Sequence, residues 1–344
     1  MKNRISFIVF FSVYLSFSSL SQEISNEVTI LFYNVENLFD IIDNPQTEDD
    51  NYTPRGDLHW TTSKLNNKLL NISKVVLSAA GYNVPDIFAL CEVENRYVLD
   101  KLLEKTPLKT VPYKIIHKES PDHRGTEIAF FYHAEHFYPL EYEYFPLKSK
   151  NDEIIKTREI LYVSGILNEL DTLHFFVNHW PSRYSGILET KTERNIAATL
   201  LHKKIDELNK KYNSPKIVIL GDFNDNPSDE SISKILVAQP VKDTILSNDL
   251  YNLSFDWQHE ETGTLKYQSQ WFFFDQIIVS GSLLNANSGY FTTPQNATKI
   301  DTPFLFERDE KYGGLKPKRT YYGFTFNDGF SDHLPVMLKL QKVN

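Results

Sequence analysis

The stretch that most constrains this chain is Lys216–Asp229, KIVILGDFNDNPSD. Its first five residues, Lys216 to Leu220, are mostly β-branched or leucine, as in a strand buried on both faces, and Gly221 lets the backbone turn sharply at the strand's end. Asp222, Asn224 and Asp225 then stand at the lip. Residues i and i+2 of an extended segment point the same way, so Asp222 and Asn224 can share one ligand through a carboxylate that accepts and an amide that donates. Such a pair suits a water attacking a phosphate. The same letters also make an Asx-rich turn that merely closes a strand, and the choice between them rests on what the rest of the chain supplies.

Taken in order, VTILFYNVENLF (Val28 to Phe39) predicts an opening strand with Asn34, Glu36 and Asn37 at its end. From Asp40 to Thr62 the chain is polar and acidic, with Pro45, Pro54 and Gly56, which predicts a loop stapled by Trp60. Ser63 caps a predicted helix carrying Leu65, Leu69, Ile72, Val75 and Val76 at helical spacing, and Gly81 stops it. PDIFALCEVEN reads as a buried strand ending in Glu92 and Glu94. HRGTEIAFFY adds a strand with Glu127 at its start, Tyr138 to Lys150 alternates like an antiparallel strand with an exposed face, and Arg158 precedes another strand. LHFFVNHWPSR runs apolar into Asn178 and His179, and a helix from Glu189 to Lys211 leads into the Lys216 strand. Beyond it, SISKILV reads as a short helix, and WFFFDQIIVSG as a strand with Asp275 in its middle. Gly289 to Asn327 is loop-like and carries the basic residues Lys316, Lys318 and Arg319, after which Ser331, Asp332 and His333 sit just before a last strand. This rhythm implies an α/β layered fold, and with no repeat or linker in view residues 22–344 are expected to form one domain.

Composition enters at two points. Residues 1–21, with Lys2 and Arg4, an apolar run from Ile5 to Phe17 and then small residues, read as a secretory signal peptide too short to span a bilayer. A periplasmic or extracellular, monomeric protein with no membrane span and no obligate protein partner is expected. The single cysteine, Cys91, excludes an intramolecular disulfide, so stability must come from packing, for which 41% hydrophobic residues suffice. The net charge of −9 argues against a module that grips duplex nucleic acid through its backbone, though not against an enzyme whose metal recovers attraction for phosphate.

Polar groups therefore stand at six strand ends: Asn34, Glu92, His179, Asp222 with Asn224, Asp275, and Asp332 with His333. Asp275 is the most telling, since a carboxylate in the apolar run Phe272 to Ile278 is costly to bury unless paired, and a histidine is its natural partner. Hard oxygen ligands without cysteine point to Mg²⁺, Mn²⁺ or Ca²⁺ rather than zinc.

The set YNVENLFD, ALCEVEN, VNHWPSR, ILGDFND, FFFDQI and SDHLPV, in that order, resembles the endonuclease/exonuclease/phosphatase superfamily from about Val28 onward. The resemblance implies a four-layer α/β/β/α sandwich of two mixed sheets whose members hydrolyse phosphate esters with a divalent cation at the strand ends. By position it makes Glu92 the primary metal ligand, helped by Asn34 and Asp332. It has Asp275 orient His333, Asp222 and Asn224 position the water and the phosphoryl oxygens, and His179 act as general acid or phosphate ligand with Glu127 as its carboxylate partner. Arg158 and Arg183 are placed to contact phosphate. A histidine at 179, where exonuclease III relatives have tyrosine, sets the chain nearer the DNase and sphingomyelinase side. Glu36, where some DNases have arginine, argues against a duplex minor-groove contact there. The leading expectation is a secreted Mg²⁺-dependent phosphodiesterase acting on DNA or RNA. The alternative keeps the chemistry on a sugar phosphate, an inositol phosphate or sphingomyelin. A non-catalytic protein that kept the fold is a third reading, opposed by competent residues at every position the chemistry needs.

Overall fold

Along Glu27–Leu38 (β1) the side chains divide by parity: Val28, Ile30 and Phe32 enter one apolar cluster, and Leu31, Tyr33 and Val35 another. A period of two with both sets buried is what a strand covered on each face requires. Ile87–Val93 (β2) repeats it, with Ile87, Ala89 and Cys91 on one side and Phe88, Leu90 and Val93 on the other. The structure, a computed structural model, describes residues 27–81, 83–184 and 186–343, so the expected signal peptide lies outside the described residues.

Two seven-stranded sheets result. In the first, β1 pairs β2 in parallel, β2 pairs Glu127–His133, and the C-terminal strand Val336–Lys342 runs antiparallel to β1 on its other side. Tyr113–His117 (β3) edges this sheet beyond Glu127–His133 (β4). In the second, Phe137–Phe145 (β5), Ile160–Leu167 (β6) and Asp171–His179 (β7) form a meander, Lys216–Asp222 (β8) lies parallel to β7, and Asp275–Ser280 runs antiparallel to β8. The sheets face each other across the first cluster, where Val218 and Leu220 of β8 meet Phe32 and Ala89. Outside the first sheet lie helices Thr62–Ala79 (α1) and Arg96–Lys105 (α2), and outside the second lies Ile187–Lys211 (α3), whose Ala197 and Leu201 cover Ile217 and Ile219. This is the four-layer α/β/β/α sandwich expected. Each fully buried Leu, Ile or Phe contributes about 1.5–3 kcal/mol.

Several local expectations change. Thr61 rather than Ser63 caps α1, accepting from the Lys64 amide. Helix α2, unread in the sequence, is capped by Asn95. Asp275 opens its strand instead of sitting in its middle, because Gln270–Phe272 pairs with Leu265–Tyr267 in a separate ribbon. The Gly289–Asn327 segment contains short pairings, among them Ala297–Lys299 on the C-terminal strand and the ribbon Phe306–Arg308 with Leu315–Pro317. Trp60 does staple its loop, donating from Nε1 to the Phe39 carbonyl at 2.9 Å. No described helix is long and apolar enough to cross a membrane.

Candidate functional site

Topology alone brings the polar strand ends together. Parallel strands β1 and β2 end at the same pole as β7 and β8, and strands antiparallel to them begin there, so Asp275 lies directly opposite Asp222 and His333 immediately precedes the strand beside β1. His179 and Asp222 are register partners. Gly221 continues β8 rather than turning it. A Cβ there would sit 2.2 Å from the Asn178 carbonyl oxygen, so glycine is needed for the close approach of β7.

Asp222 is buried and fully tied. Its Oδ1 accepts from the Asn224 amide N–H at 2.9 Å and its Oδ2 from Asn34 Nδ2 at 3.0 Å. Nε2 of His179 and Nε2 of His333 each lie 3.8 Å from Oδ2, too far to hydrogen-bond and wide enough for an oxygen to come between. Asn34 Nδ2 also reaches Glu92 Oε1 at 3.3 Å, and Glu92 Oε2 accepts from the Asn37 amide at 3.1 Å. Glu36, Asn37, Glu92 and Asn224 all have left-handed backbone at φ between 51° and 62°, and the β1–β2 and β2–β4 registers both shift at Asn34–Leu38 and Cys91–Val93. Left-handed residues cost about 1–3 kcal/mol each, and bulges re-aim side chains, which here sets Glu92 against Asn34.

Asp275 and His333 form the expected pair, with Oδ2 and Nδ1 2.7 Å apart and both groups buried. Thr264 Oγ1 receives the Asp275 amide, and Ser331 Oγ accepts from the His333 amide while donating to the Asn34 carbonyl. Burial raises the Asp222 carboxyl to about 6, the Asp275 charge adding to the shift and His333 opposing it. Burial works against charge on His333, but the Asp275 and Asp222 carboxylates overcome it and hold the imidazole well above its ordinary range. Burial, with Arg158 nearby, pushes His179 well below, and its Nδ1 has no partner.

The donor chemistry fits a hard divalent cation: Glu92 and Asp222 carboxylates 3.8 Å from one imidazole nitrogen, and Asp275 Oδ1 buried without a partner. Ligand atoms of Asp222, Asp275 and His333 also lie within 4.8 Å of one another. An ion shared by those three would meet an imidazole that the Asp275 and Asp222 carboxylates hold protonated and so unable to ligate, so the Glu92 and Asp222 side is the better seat.

Other expected residues take different parts. Asn34 turns its NH₂ group, not its oxygen, toward both carboxylates, and so aligns them. Asn224 spends its side-chain amide on the Trp180 carbonyl, because the strand ends at Asp222 and the i, i+2 geometry is lost. Glu127 stands at the same pole but is held by Ser120 rather than by His179. Asp332 pairs with Arg319 at 3.1 Å. Arg158 is buried, donating to the Trp180 carbonyl and facing Asp122. Arg183 is tied to Asp225 and Asp229 at 2.6 and 2.5 Å and to the Asn224 carbonyl, so it braces the loop. Lys316 and Arg319 of the basic patch pair with Glu307 and Glu36. The sequence reading missed Thr264, Ser120 and Lys68. Lys68 is 2% exposed and donates to Thr320 Oγ1 and the Phe330 carbonyl. Only Lys68 left a signal, three residues after Leu65 on the buried face of α1.

The model of the Endonuclease/Exonuclease/phosphatase family matches residues 29–342. The chain belongs to that family. Members of the endonuclease/exonuclease/phosphatase family are phosphoric ester hydrolases that depend on a divalent metal, and this is the enzyme class of the chain. No curated protein matches the sequence. Among solved structures, the fold is similar to a mannosyl-6-phosphatase of Bacteroides thetaiotaomicron at 18% identity, covering 91% of this chain and 99% of that one with a TM-score of 0.53. It is similar also to the human Nocturnin catalytic domain with bound sulfate, at 14% identity, 92% and 95% coverage and TM-score 0.55. D. rerio TDP2 in complex with a single-strand DNA product matches at 13% identity, 91% and 98% coverage and TM-score 0.53. At these identities the likeness is one of fold.

Proposed function

We propose that this chain is an exported, divalent-cation-dependent phosphoesterase acting on compact phosphate esters. The observation that carries the chemistry is the convergence of Asn34, Glu92, His179, Asp222, Asp275 and His333 from both sheets on one point. Glu92 would hold the ion, with Asp222 beside it and Asn34 keeping the two carboxylates aligned. When bound, the cation neutralises charge on the phosphoryl group. Asp222 Oδ2, fixed by Asn34 and flanked by two imidazoles, orients the attacking water and is placed to accept its proton. As the water oxygen bonds to phosphorus the ester P–O bond breaks. His333, its Nδ1 committed to Asp275 and its imidazole held charged, presents Nε2 to the same space as a donor to a phosphoryl oxygen and as the proton source for the departing alkoxide, and His179, 3.8 Å from the same Asp222 oxygen, offers a second Nε2. No covalent intermediate is required.

The substrate preference rests on charge. The sequence ranks DNA or RNA first, with weak support from the basic residues Lys316, Lys318 and Arg319. In the fold Lys316 and Arg319 face carboxylates, and Arg183 is bound by two aspartates. On a chain of net charge −9 this leaves little to track a long polyanion, so a small ester is favoured. Mg²⁺ is the proposed ion, with Mn²⁺ or Ca²⁺ as substitutes to compare. Export rests on residues 1–21 and is checked by the mature N-terminus, expected at Gln22.

The test is phosphate release by the purified mature protein with Mg²⁺, Mn²⁺, Ca²⁺ or chelator, across sugar and inositol phosphates, bis-p-nitrophenyl phosphate, sphingomyelin, RNA and plasmid. Metal-dependent turnover of the small esters is expected. Glu92→Ala abolishes it, and Asp275→Asn lowers it on the order of 100-fold with the fold intact. Full activity in Glu92→Ala refutes the site, and faster cleavage of plasmid or RNA refutes the substrate class.

A further inference from the structure

Beside the strand-end cluster lies a pocket of about 490 Å³, within the range of small-molecule sites. Its residues come partly from Asp40–Thr62 and Gly289–Asn327, the two segments outside the regular strands. Two bonds join it to the cluster: the Asn37 amide donates to Glu92, and Arg319, paired with Glu36 at 2.8 Å, reaches Asp332 next to His333. The consecutive left-handed residues Glu36 and Asn37 make both connections possible. Two walls are fixed aromatic rings. Tyr52 stacks on Phe39 at 4.2 Å and meets Trp60 edge-on, and Tyr321 donates from its hydroxyl to the Leu58 carbonyl. The third, Tyr184, is 97% exposed, an uncovered ring face beside a polar floor.

Around the floor the Glu36, Asp332 and Glu92 carboxylates face Arg319 and buried Lys68, so it offers hydrogen bonds without a preference for a second anion. Arg319 is partly exposed with N–H groups to spare, and the Asn37 side chain can donate and accept. We propose that this pocket is the subsite for the alcohol part of the ester, and that it takes a neutral ring edged with hydrogen-bonding groups, stacked against the tyrosines. A sugar ring and a nucleobase share that chemistry. The inference rests on the phosphoesterase reading of the neighbouring cluster and adds the substrate's organic half to it.

The experiment compares kcat/KM for glucose 6-phosphate, 5′-AMP and the acyclic glycerol 3-phosphate in wild type, Tyr184→Ala and Tyr52→Leu. The better ring ester exceeds the acyclic one, and the ratio falls about tenfold in Tyr184→Ala, the worth of one stacked ring. The ester that loses more identifies the sugar or the base as the occupant. In parallel, saturation-transfer NMR with 5′-AMP and glucose 6-phosphate, in chelator and so without turnover, should show transfer to ring protons in wild type and its loss in Tyr184→Ala. Ratios unchanged within about twofold in both variants, or no transfer to the ring of either probe in wild type, overturn the pocket assignment. If no ester is hydrolysed, glycerol 3-phosphate included, the phosphoesterase reading fails, and the NMR result still decides the pocket.

Discussion

Asp275 shows how a single side chain can be readable before any fold is known. A carboxylate in an apolar run has few ways to be stable, and the 2.7 Å bond to His333 is the one the chemistry favours. Glu127 is the contrasting case. Its place at a strand start was legible, but its partner was not, because Ser120 comes from the irregular approach to β4, where no period fixes a neighbour. Burial raises the Glu127 carboxyl from 4.5 to about 7. Between those values the folded protein holds a proton that the unfolded chain has lost, so this residue makes stability fall as pH rises through that window. Glu127→Gln removes the slope. Melting temperatures at pH 5 and pH 7.5 should show the variant gaining on wild type at the higher pH, and a gain confined to pH 5 would contradict the assignment. Asn224 departs from the i, i+2 expectation for a local reason. Its backbone turns left-handed two residues past the strand, which swings the amide to Trp180.

At the scale of elements, legibility followed length. Helices α1 and α3 repeat their apolar positions over several turns, and β1, β2, β7 and β8 bury both faces, so pattern alone finds them. Helix α2 buries only Val98, Leu99 and Leu102 and directly follows a strand, and the pairings within Gly289–Asn327 are two or three residues long, too short for any period to register. Lys68 on α1 is one of the ties that hold the C-terminal end of that segment from outside itself. Lys68 Nζ donates to Thr320 Oγ1 at 2.5 Å and to the Phe330 carbonyl at 2.7 Å, flanking Arg319 and leading into Ser331, Asp332 and His333. Lys68→Met keeps the side chain's length but leaves a buried carbonyl without its donor, at a cost of about 1–3 kcal/mol. The expected result is faster hydrogen exchange across 318–333, with exchange in the second sheet unchanged, and a drop in turnover. Uniform acceleration over both sheets would show that Lys68 supports the whole fold rather than this segment.

Over the whole molecule, the cluster is a place where two sheets meet through like charges. Glu92 belongs to the first sheet, Asp222 and Asp275 to the second, and His333 and Asn34 only partly offset them. The layered fold and the pole at which the strands converge were legible, since both follow from the order of strands and helices and the polar residue at each strand end. The neutralised lips were not, because the partners of Arg183, Lys316 and Arg319 are set by loop packing. A cation seated between the sheets would bind the folded state alone, and so stabilise it by mass action, by about 2.7 kcal/mol at a hundredfold excess over Kd. In a chain this large each kcal/mol moves the melting temperature by about 2 °C, so Mg²⁺ should raise it by several degrees over chelator in wild type. Glu92→Ala removes the ligand and one repelling charge together. It should melt no lower than wild type in chelator, yet show little rise when Mg²⁺ is added. An equal Mg²⁺-dependent rise in the two proteins would place the ion elsewhere, and would leave Glu92 as a residue that merely braces the end of β1.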